Sequence, residues 1–346
     1  MEKFKHICIV RLSALGDVTH VLPVVSAIKD ACPECKISWV IGAFEKKLIS
    51  GLADVEFIPF NKSRGLSEYF RLYSLLKNRS FDVLLHMQLS LRANIIAKMV
   101  KAPIKIGYDS QRSKEGHSLV VNQHIRYVAN QHMLEALLSF LEPLGIDKKI
   151  INYDMPISAS AIDASKKLVS SERYIVISPA SSHERRNWTA SGYAAVADHL
   201  IREYGFDVVL CGGKSDSEKK LGFEIEKKMQ CQATNVIGQD TLEQMVIILK
   251  NAFFLISPDS GPAHIANAVG TPVLGLYAAT DPQRSGPYHS RQWCVDAYDK
   301  AAQEFLGKDA SQLTWGKKIE MSGVMSLITT DEVIDRADQL LASLED

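Results

Sequence analysis

The sequence predicts an α/β protein built from two doubly wound, Rossmann-like domains that face a central cleft. A length of 346 residues favours two domains over one. Short apolar runs alternate along the chain with amphipathic stretches, a pattern typical of the strands and helices of parallel sheets. The pattern restarts after a polar stretch near residues 145–172, so we expect each half to form its own sheet.

The first half contains five predicted strands and five predicted helices. The strands are expected at residues 6–12, 36–41, 55–60, 81–86 and 105–107. The helices are expected at residues 18–31, 44–50, 65–78, 90–100 and 130–144. Pro23 falls in the first turns of the helix predicted at 18–31, where its missing N–H is tolerated. These elements define an N-terminal domain over residues 1–150.

The second half repeats the alternation. Strands are expected at residues 174–178, 206–211, 253–257 and 272–276, and helices at 189–204, 215–229, 241–251, 262–269 and 330–344. Acidic residues in the first turn of the last helix suit the positive end of a helix dipole. The predicted organisation is therefore a linker at 151–172, a C-terminal domain at 173–329 and a terminal helix at 330–346.

The zero formal net charge conceals an asymmetry between the halves. Residues 1–150 hold 21 Lys and Arg against 14 Asp and Glu, whereas residues 151–346 hold 19 against 26. A basic half favours an anionic partner there, although chance placement of solvated charges explains the count equally well. A pI near 7.1 without a dense basic run argues against nucleic acid. The apolar runs are too short for a membrane span or a signal peptide, which predicts a cytoplasmic protein.

Six cysteines are present, and only Cys32 and Cys35 have the spacing of a metal or redox pair. A structural zinc site needs a second pair, and a reactive thiolate is typical of a helix N-terminus. This pair instead follows a predicted helix, so we interpret it as a helix-end turn. No metal site is expected.

The loop RLSALGD at residues 11–17 joins the first strand to the first helix. It lacks the G-x-G-x-x-G spacing that lets a backbone approach a pyrophosphate, so a dinucleotide cofactor is disfavoured there. Asp17 falls at the helix start, where aspartate often caps the backbone. The alternative is a carboxylate that points into the cleft as a general base, and the spacing leaves both interpretations open.

Two loops of the second half have the composition of an anion site. SPDSGPAH at residues 257–264 places small residues before a helix, whose free N–H groups attract phosphate. SSHERRNW at residues 181–188 carries two adjacent arginines, and guanidinium groups bind diphosphate bidentately. Capping, packing and ordinary surface charge are the alternatives for these residues. The candidate donor-site residues are Ser181, Ser182, Arg185, Arg186, Thr241, Asp259, Ser260, Gly261, Pro262 and His264.

Together these loops resemble the lipopolysaccharide heptosyltransferases of glycosyltransferase family nine, over most of the chain. VRLSALGDVTHVLP at residues 10–23 is similar to the N-terminal signature of that family. SPDSGPAH at 257–264, GTP at 270–272, Tyr277, TDP at 280–282 and Gly286 are similar to its C-terminal signature. The segment GYD at 107–109, with Lys114 and Glu115 downstream, is similar to the acceptor loop of the heptosyltransferase I group, which adds the first heptose to Kdo on lipid A.

The resemblance implies a GT-B fold, with the acceptor on the first domain and the nucleotide sugar on the second. It implies ADP-L-glycero-D-manno-heptose as donor, Kdo-lipid A as acceptor, inversion at the anomeric carbon, no cofactor or essential metal, and a monomer. By position, Asp17 resembles the catalytic base of the family, and the loop at 259–264 its donor-phosphate site. Arg186 stands where heptosyltransferase I has a lysine, and Lys114 where it has an arginine. The candidate acceptor-site residues are Ser13, Gly16, Lys62, Arg64, Arg112 and Lys114.

The basic first half acquires a candidate use in this interpretation. Lys62, Arg64, Arg112 and Lys114 are expected to face the phosphate and carboxylate groups of the acceptor, or an anionic membrane. The resemblance thereby implies an enzyme bound peripherally to the cytoplasmic face of the inner membrane of a Gram-negative bacterium. The alternatives are a family-nine transferase with another donor or acceptor, a non-catalytic glycan- or lipid-binding protein, and an NAD-linked oxidoreductase, which the missing glycine fingerprint disfavours.

Overall fold

The computed structural model describes residues 4–147 and 151–345. The chain divides into two units, Met1–Pro156 and Ile157–Asp346. The boundary predicted at residue 150 falls outside the described residues. Within the described ranges, no helix is both long enough and apolar enough to cross a bilayer.

The first unit contains a six-stranded parallel sheet with strand order β3-β2-β1-β4-β5-β6. Its strands are β1 His6–Val10, β2 Lys36–Gly42, β3 Val55–Phe60, β4 Val83–His86, β5 Ile104–Gly107 and β6 Gln123–His124. The central strands β1 and β4 are almost wholly buried, as expected for a parallel sheet covered on both faces. The strand order reverses between β1 and β4, which makes the carboxyl ends of these two strands the expected ligand site.

Among the described residues of the first unit, five helices lie between successive strands and a sixth follows β6: α1 Leu15–Thr19, α2 Leu22–Ala31, α3 Lys46–Ile49, α4 Leu66–Leu76, α5 Leu91–Met99 and α6 Met133–Leu138. Helices α4 and α5 cover one side of the sheet together, because Leu72, Leu76 and Ile96 enter one apolar cluster with the strands. Single 3₁₀ segments occur at Lys62–Arg64, His117–Leu119 and Ser139–Leu144.

The second unit repeats the topology, with strand order β12-β11-β10-β7-β8-β9. Its strands are β7 Tyr174–Ile177, β8 Asp207–Leu210, β9 Thr234–Asn235, β10 Leu255–Pro258, β11 Val273–Tyr277 and β12 Val295–Asp296. Here the order reverses between β7 and β10, and all ladders are parallel. The loops that follow β7 and β10 are therefore the counterparts of those that follow β1 and β4.

The part of the second unit that the structure describes contains eight helices: α7 Ala159–Lys166, α8 Ala190–Tyr204, α9 Asp216–Lys228, α10 Leu242–Asn251, α11 Gly261–Ala268, α12 Pro282–Ser285, α13 Tyr298–Leu306 and α14 Thr330–Glu345. The 3₁₀ segments are Glu184–Arg186, Tyr288–Trp293, Ala310–Gln312 and Val324–Leu327. The prediction of two doubly wound α/β units is confirmed by the two sheets.

Several predicted elements differ from the structure. The helix expected at 18–31 is two helices, because the ring of Pro23 blocks a hydrogen bond to Thr19, where α1 ends. The stretch predicted as a linker contains α7, which packs against α10 inside the second unit. The terminal helix α14 is also part of that unit, since Val333 and Leu340 are buried in its core. Cys32 directly follows α2, which confirms the helix-end turn.

Candidate active site

In the first unit, a buried arginine and a partly exposed aspartate meet at the point where the strand order reverses. Arg11 follows β1, and its guanidinium donates through Nη1 to the carbonyl of Met87, which follows β4, at 2.5 Å. Its Nη2 lies 2.6 Å from Oδ2 of Asp17, and the Arg11 side chain is only 7% exposed. The backbone carbonyl of Arg11 accepts a hydrogen bond from Trp39 Nε1. Arg11 therefore links the two central strands and directs its charge at Asp17.

Asp17 is the third residue of α1, and the backbone N–H of Ala14 donates to its Oδ2 at 3.0 Å. The N-cap of α1 is Ala14, so Asp17 is not the N-cap that the sequence suggested; from the third position of the helix, its carboxylate accepts the N–H of the N-cap residue instead. Its side chain is nevertheless 34% exposed, so the same carboxylate is accessible to a ligand. Bonding to the helix start and access to a ligand are therefore compatible for Asp17 in this geometry.

The other first-loop candidates surround this pair. The hydroxyl of Ser13 accepts a hydrogen bond from Gln88 Nε2 at 3.3 Å, and Gln88 Oε1 accepts one from Leu12 N. Gly16 is buried, and its carbonyl accepts from the hydroxyl of Thr19. Gln88 follows β4 and was not singled out from the sequence, where a lone glutamine after a strand carries no specific signal.

The basic candidates of the first unit separate into exposed and internal groups. Lys62, Arg64 and Lys114 are exposed. Arg112 is 3% exposed, and its guanidinium donates to Asp109, to Gln131 Oε1 and to the carbonyl of Arg126. The structure therefore gives Arg112 an internal role in holding its own loop together, rather than the solvent-facing charge expected from the sequence.

The loop that carries Lys114 is anchored on two stacked histidines. The rings of His86 and His117 lie 4.4 Å apart, and His117 Nε2 accepts a hydrogen bond from the backbone N–H of Tyr108. His86 Nε2 lies 2.7 Å from Asn94 Oδ1, and Asn94 Nδ2 donates to the backbone carbonyl of Glu115. Burial lowers the pKa of His86 to about 3 and that of His117 to about 4, so both rings are neutral at physiological pH.

In the second unit, the loops that follow β7 and β10 are joined by hydrogen bonds. The hydroxyl of Ser181 donates to the carbonyl of Asp259 at 2.7 Å, and Ser181 N donates to Asn187 Oδ1. Arg186 is buried in the first loop, and its Nη1 lies 3.3 Å from Oδ2 of Asp259. The structure therefore brings together the two loops that the sequence analysis selected separately.

Asp259 lies between the guanidinium of Arg186 and the imidazole of His264. His264 Nε2 is 3.8 Å from its Oδ1, on the side opposite the oxygen that faces Arg186. Burial alone would raise the pKa of Asp259, but the hydrogen bond from His264 and the charges of His264 and Arg186 hold that pKa below its usual value. Asp259 is therefore an ionised, engaged carboxylate at neutral pH.

Arg186 has a second carboxylate partner, Glu320, which was not identified from the sequence. Glu320 Oε1 accepts from Arg186 Nε at 2.8 Å and from Nη2 at 2.5 Å, and the carbonyl of Glu320 accepts from Arg185. The preceding residue, Ile319, donates its N–H to the carbonyl of Ala279 just after β11, which brings Glu320 to the carboxyl edge of the sheet. The sequence offered no motif around Glu320.

The remaining donor-site candidates lie at helix starts or in exposed turns. Ser260 precedes α11, and its hydroxyl lies 2.7 Å from that of Ser257 instead of capping the helix. Gly261 and Pro262 are the first two residues of α11. Because the Ser260 side chain makes no capping hydrogen bond, it does not occupy the backbone N–H groups of this first turn. Thr241 caps α10 in a reciprocal capping box with Gln244. Ser182 and Arg185 are exposed.

Within 4–147 and 151–345, no three side chains among His, Cys, Asp and Glu cluster as ligands for a metal ion. Burial raises the pKa of Cys35 to about 11, which keeps the thiol of the C-x-x-C pair protonated at neutral pH.

Two Rossmann-like units, each with charged groups where its strand order reverses, have the architecture of the GT-B fold. The profile of glycosyltransferase family 9 (heptosyltransferase) matches residues 69–314, and the chain belongs to this family. It is therefore a glycosyltransferase of the heptosyltransferase type. The predicted family, fold class and enzyme class are confirmed.

Relatives and solved structures agree with this assignment. The chain is 35% identical to the lipopolysaccharide core heptosyltransferase OpsX of Haemophilus influenzae, over 98% of both chains. It is 24% identical to lipopolysaccharide heptosyltransferase 1 of Escherichia coli K12, over 83% of this chain and 92% of the relative. A family 9 glycosyltransferase from Veillonella parvula matches in fold with a TM-score of 0.80 and 21% identity, over 99% of both chains. The E. coli heptosyltransferase WaaC with ADP matches with a TM-score of 0.74 and 20% identity, over 97% of this chain and 99% of that one.

Proposed function

We propose that this chain transfers L-glycero-D-manno-heptose from ADP-heptose to Kdo of the lipopolysaccharide inner core, on Kdo-lipid A. The observation that carries the proposal is the pair formed by Arg11 and Asp17, in which a buried guanidinium holds an accessible carboxylate at the expected ligand edge of the first sheet. The choice of donor is supported by the family and by its relatives, which include heptosyltransferases named for lipopolysaccharide and a structure with bound ADP.

In the proposed reaction, an acceptor hydroxyl oxygen forms a bond to the anomeric carbon while the bond from that carbon to the β-phosphate oxygen breaks. Asp17 takes the hydroxyl proton, and ADP leaves with the electron pair of the broken bond. Attack opposite to the leaving group inverts the anomeric configuration. A general base of this kind contributes about 10²- to 10⁴-fold to the rate.

The leaving group gains negative charge, which the second unit is equipped to stabilise. The N–H groups at the start of α11 and the guanidinium of Arg186 are preorganised donors, and such donors stabilise developing charge without reorganisation. We therefore propose that the reaction needs neither a cofactor nor a metal ion. Turnover in the presence of EDTA is expected to equal turnover in its absence, and restoration by added Mg²⁺ would contradict this part.

The decisive experiment measures ADP release and heptosylated product with ADP-heptose and Kdo-lipid A. Asp17→Asn is expected to lower kcat at least about 10²-fold and to leave the Kd for ADP unchanged. The matched control is Asp30→Asn, the same change at an exposed position on α2 of the same unit, which should behave as the parent. Turnover of Asp17→Asn near that of the parent would refute the base assignment.

A second candidate is a transferase that acts at another position of the core. It is favoured by the identity of 35% to a core heptosyltransferase, against 24% to heptosyltransferase 1. An acceptor panel separates the two: Kdo-lipid A, its Kdo-phosphorylated form, and a core that already carries one heptose. Turnover with the last acceptor alone would replace the Kdo assignment, and ADP release without any glycosylated product would defeat the transferase proposal.

A further inference from the structure

Helix α4 exposes a row of large apolar side chains. Leu66, Phe70 and Tyr73 are 77%, 75% and 52% exposed, and their spacing of four and three residues places them on one face of the helix. On an adjacent face of the helix, Leu72 and Leu76 are fully buried against the sheet. The helix is therefore apolar on the side that packs and on the side that faces outward.

The neighbouring helix α5 extends this surface. Leu91 and Ile95, four residues apart, are 59% and 41% exposed. Helices α4 and α5 contact each other and cover the same side of the sheet. We name the surface formed by Leu66, Phe70, Tyr73, Leu91 and Ile95 the α4–α5 face.

The charges around the α4–α5 face are predominantly positive. Its exposed cations are Lys62, Arg64, Lys77, Arg92 and Lys98. The only acid between residues 61 and 79 is Glu68, which is 1% exposed and bonded to Arg71. There is no acid between residues 90 and 101, and Glu115 from the next loop accepts a hydrogen bond from Leu91 N.

We propose that the α4–α5 face docks on the surface of an anionic lipid bilayer. Exposed aromatic and aliphatic side chains ringed by lysine and arginine are the pattern by which a helix lies in a membrane interface. The apolar groups enter the boundary between headgroups and acyl chains, and the cations meet the lipid phosphates. A bilayer fits better than a folded protein, because five exposed cations lie along the two helices and Glu115, at the start of α5, is the one exposed acid that the described residues bring against this face.

Docking through this face does not require the proposed reaction. Only its consequence for catalysis rests on the proposed function: a docked enzyme would meet an acceptor that is itself held in the membrane. The two proposals therefore fail separately, since vesicle binding is measured without donor or acceptor and turnover is measured on acceptor in detergent.

The first experiment is sedimentation of the full chain with vesicles of equal parts phosphatidylglycerol and phosphatidylcholine, compared with pure phosphatidylcholine. Leu66→Ser with Phe70→Ser is expected to lower partitioning into the mixed vesicles at least about tenfold. Phe223→Ser is the matched control, because Phe223 is 64% exposed on α9 of the second unit and should not contribute. Lys77→Ala and Lys98→Ala are expected to cost about fivefold each, and less at high salt.

The second experiment measures depth. When the mixed vesicles are added, the tryptophan emission of Phe70→Trp should shift further to the blue than that of the parent. Brominated lipids should quench the additional emission that the new tryptophan contributes. Phe223→Trp should show neither effect. Circular dichroism and thermal unfolding serve as the folding control for each variant. Because the replaced side chains are exposed, we expect every variant to fold as the parent does.

Three outcomes would overturn the proposal. Equal binding to charged and uncharged vesicles contradicts the role of the cations, and full binding by the double serine variant contradicts the role of the apolar face. A concentration-dependent dimer in sedimentation velocity, abolished by Leu66→Ser with Phe70→Ser, would show that a second copy occupies the face instead. Retained turnover on detergent-solubilised acceptor with lost turnover on vesicle-embedded acceptor would support docking.

Discussion

Replacing Glu320 by glutamine is expected to change stability and nucleotide affinity in opposite directions. Arg186 is shared in the structure by Glu320 and Asp259, so one buried positive charge faces two carboxylates. The Glu320→Gln side chain has almost the same shape but carries no charge. In this variant Arg186 keeps its ion pair with Asp259 and loses the one with Glu320. Its positive charge is then less neutralised and attracts a bound phosphate more strongly.

The stability cost follows from the exposure of the pair. Breaking a buried ion pair costs about 3–5 kcal/mol. The Glu320 side chain is 25% exposed and Arg186 keeps one partner, so we discount the cost to about 1–2 kcal/mol. Burial opposes ionisation of Glu320, but Arg186 outweighs it and lowers the pKa below the ordinary value of 4.5. The lower unfolding free energy of Glu320→Gln is therefore expected at neutral pH. It should disappear as the pH falls below 4.5 and through the lowered pKa of Glu320, because the parent protein then loses the same charge.

The gain in nucleotide affinity follows from removing a like charge. A phosphate bound to Arg186 would lie about 6 Å from the Glu320 carboxylate, a repulsion of about 3 kcal/mol at an effective dielectric constant of about 20. Solvent and salt screen much of this, and about 1 kcal/mol remains, or about fivefold tighter binding of ADP. Isothermal titration with ADP and urea denaturation of the same preparations measure both effects. An ADP affinity that is unchanged or weaker would refute the inference that Arg186 reaches the nucleotide.

Three further changes test the fold that supports the site. Gly107→Ala places a Cβ 2.4 Å from Nε2 of His117. Urea denaturation should show a destabilisation of about 1–3 kcal/mol, and kinetics should show a raised KM for the acceptor. Unchanged stability would contradict the packing of His117 against Gly107. Asp198→Ala removes the acceptor of the Gln230 backbone N–H and should cost about 1–3 kcal/mol, with partial rescue by asparagine. Leu340→Ala should cost about 2–5 kcal/mol of unfolding free energy, whereas an unchanged transition would make α14 a dispensable tail.

The central strands of both sheets were predictable because parallel strands buried on both faces are continuous apolar runs. Strand β3 was predicted with its observed bounds, and β7 and β10 within two residues at each end. The edge strands β6, β9 and β12 have two residues each and carry no such run. Tertiary pairing alone defines them, so periodicity could not reveal them.

The site was predictable where chemistry is local and unpredictable where it depends on distant segments. Asp17 and the loop at 257–264 follow buried strands, which the sequence shows directly. Glu320 reaches Arg186 across 134 residues, through a segment without a motif. Arg112 shows the opposite limit, because an arginine in a polar loop looks exposed until its partners Asp109 and Gln131 are known.

The two units place a similar arginine–aspartate pair at their reversal points, and the differences between the pairs bear on our proposal that Asp17 is the base. A base must be reachable by an acceptor hydroxyl. Asp17 is 34% exposed, whereas Asp259 is 14% exposed and is engaged by Arg186 and His264, which lower its pKa.

Asp259 is therefore suited to positioning the donor site and poorly suited to accepting a proton at neutral pH. Asp259→Asn should weaken donor binding. On the acidic side of the dependence of kcat on pH, the apparent pKa should be the same as in the parent. If Asp259→Asn abolished turnover at unchanged ADP affinity while Asp17→Asn retained it, the roles of the two carboxylates would be exchanged.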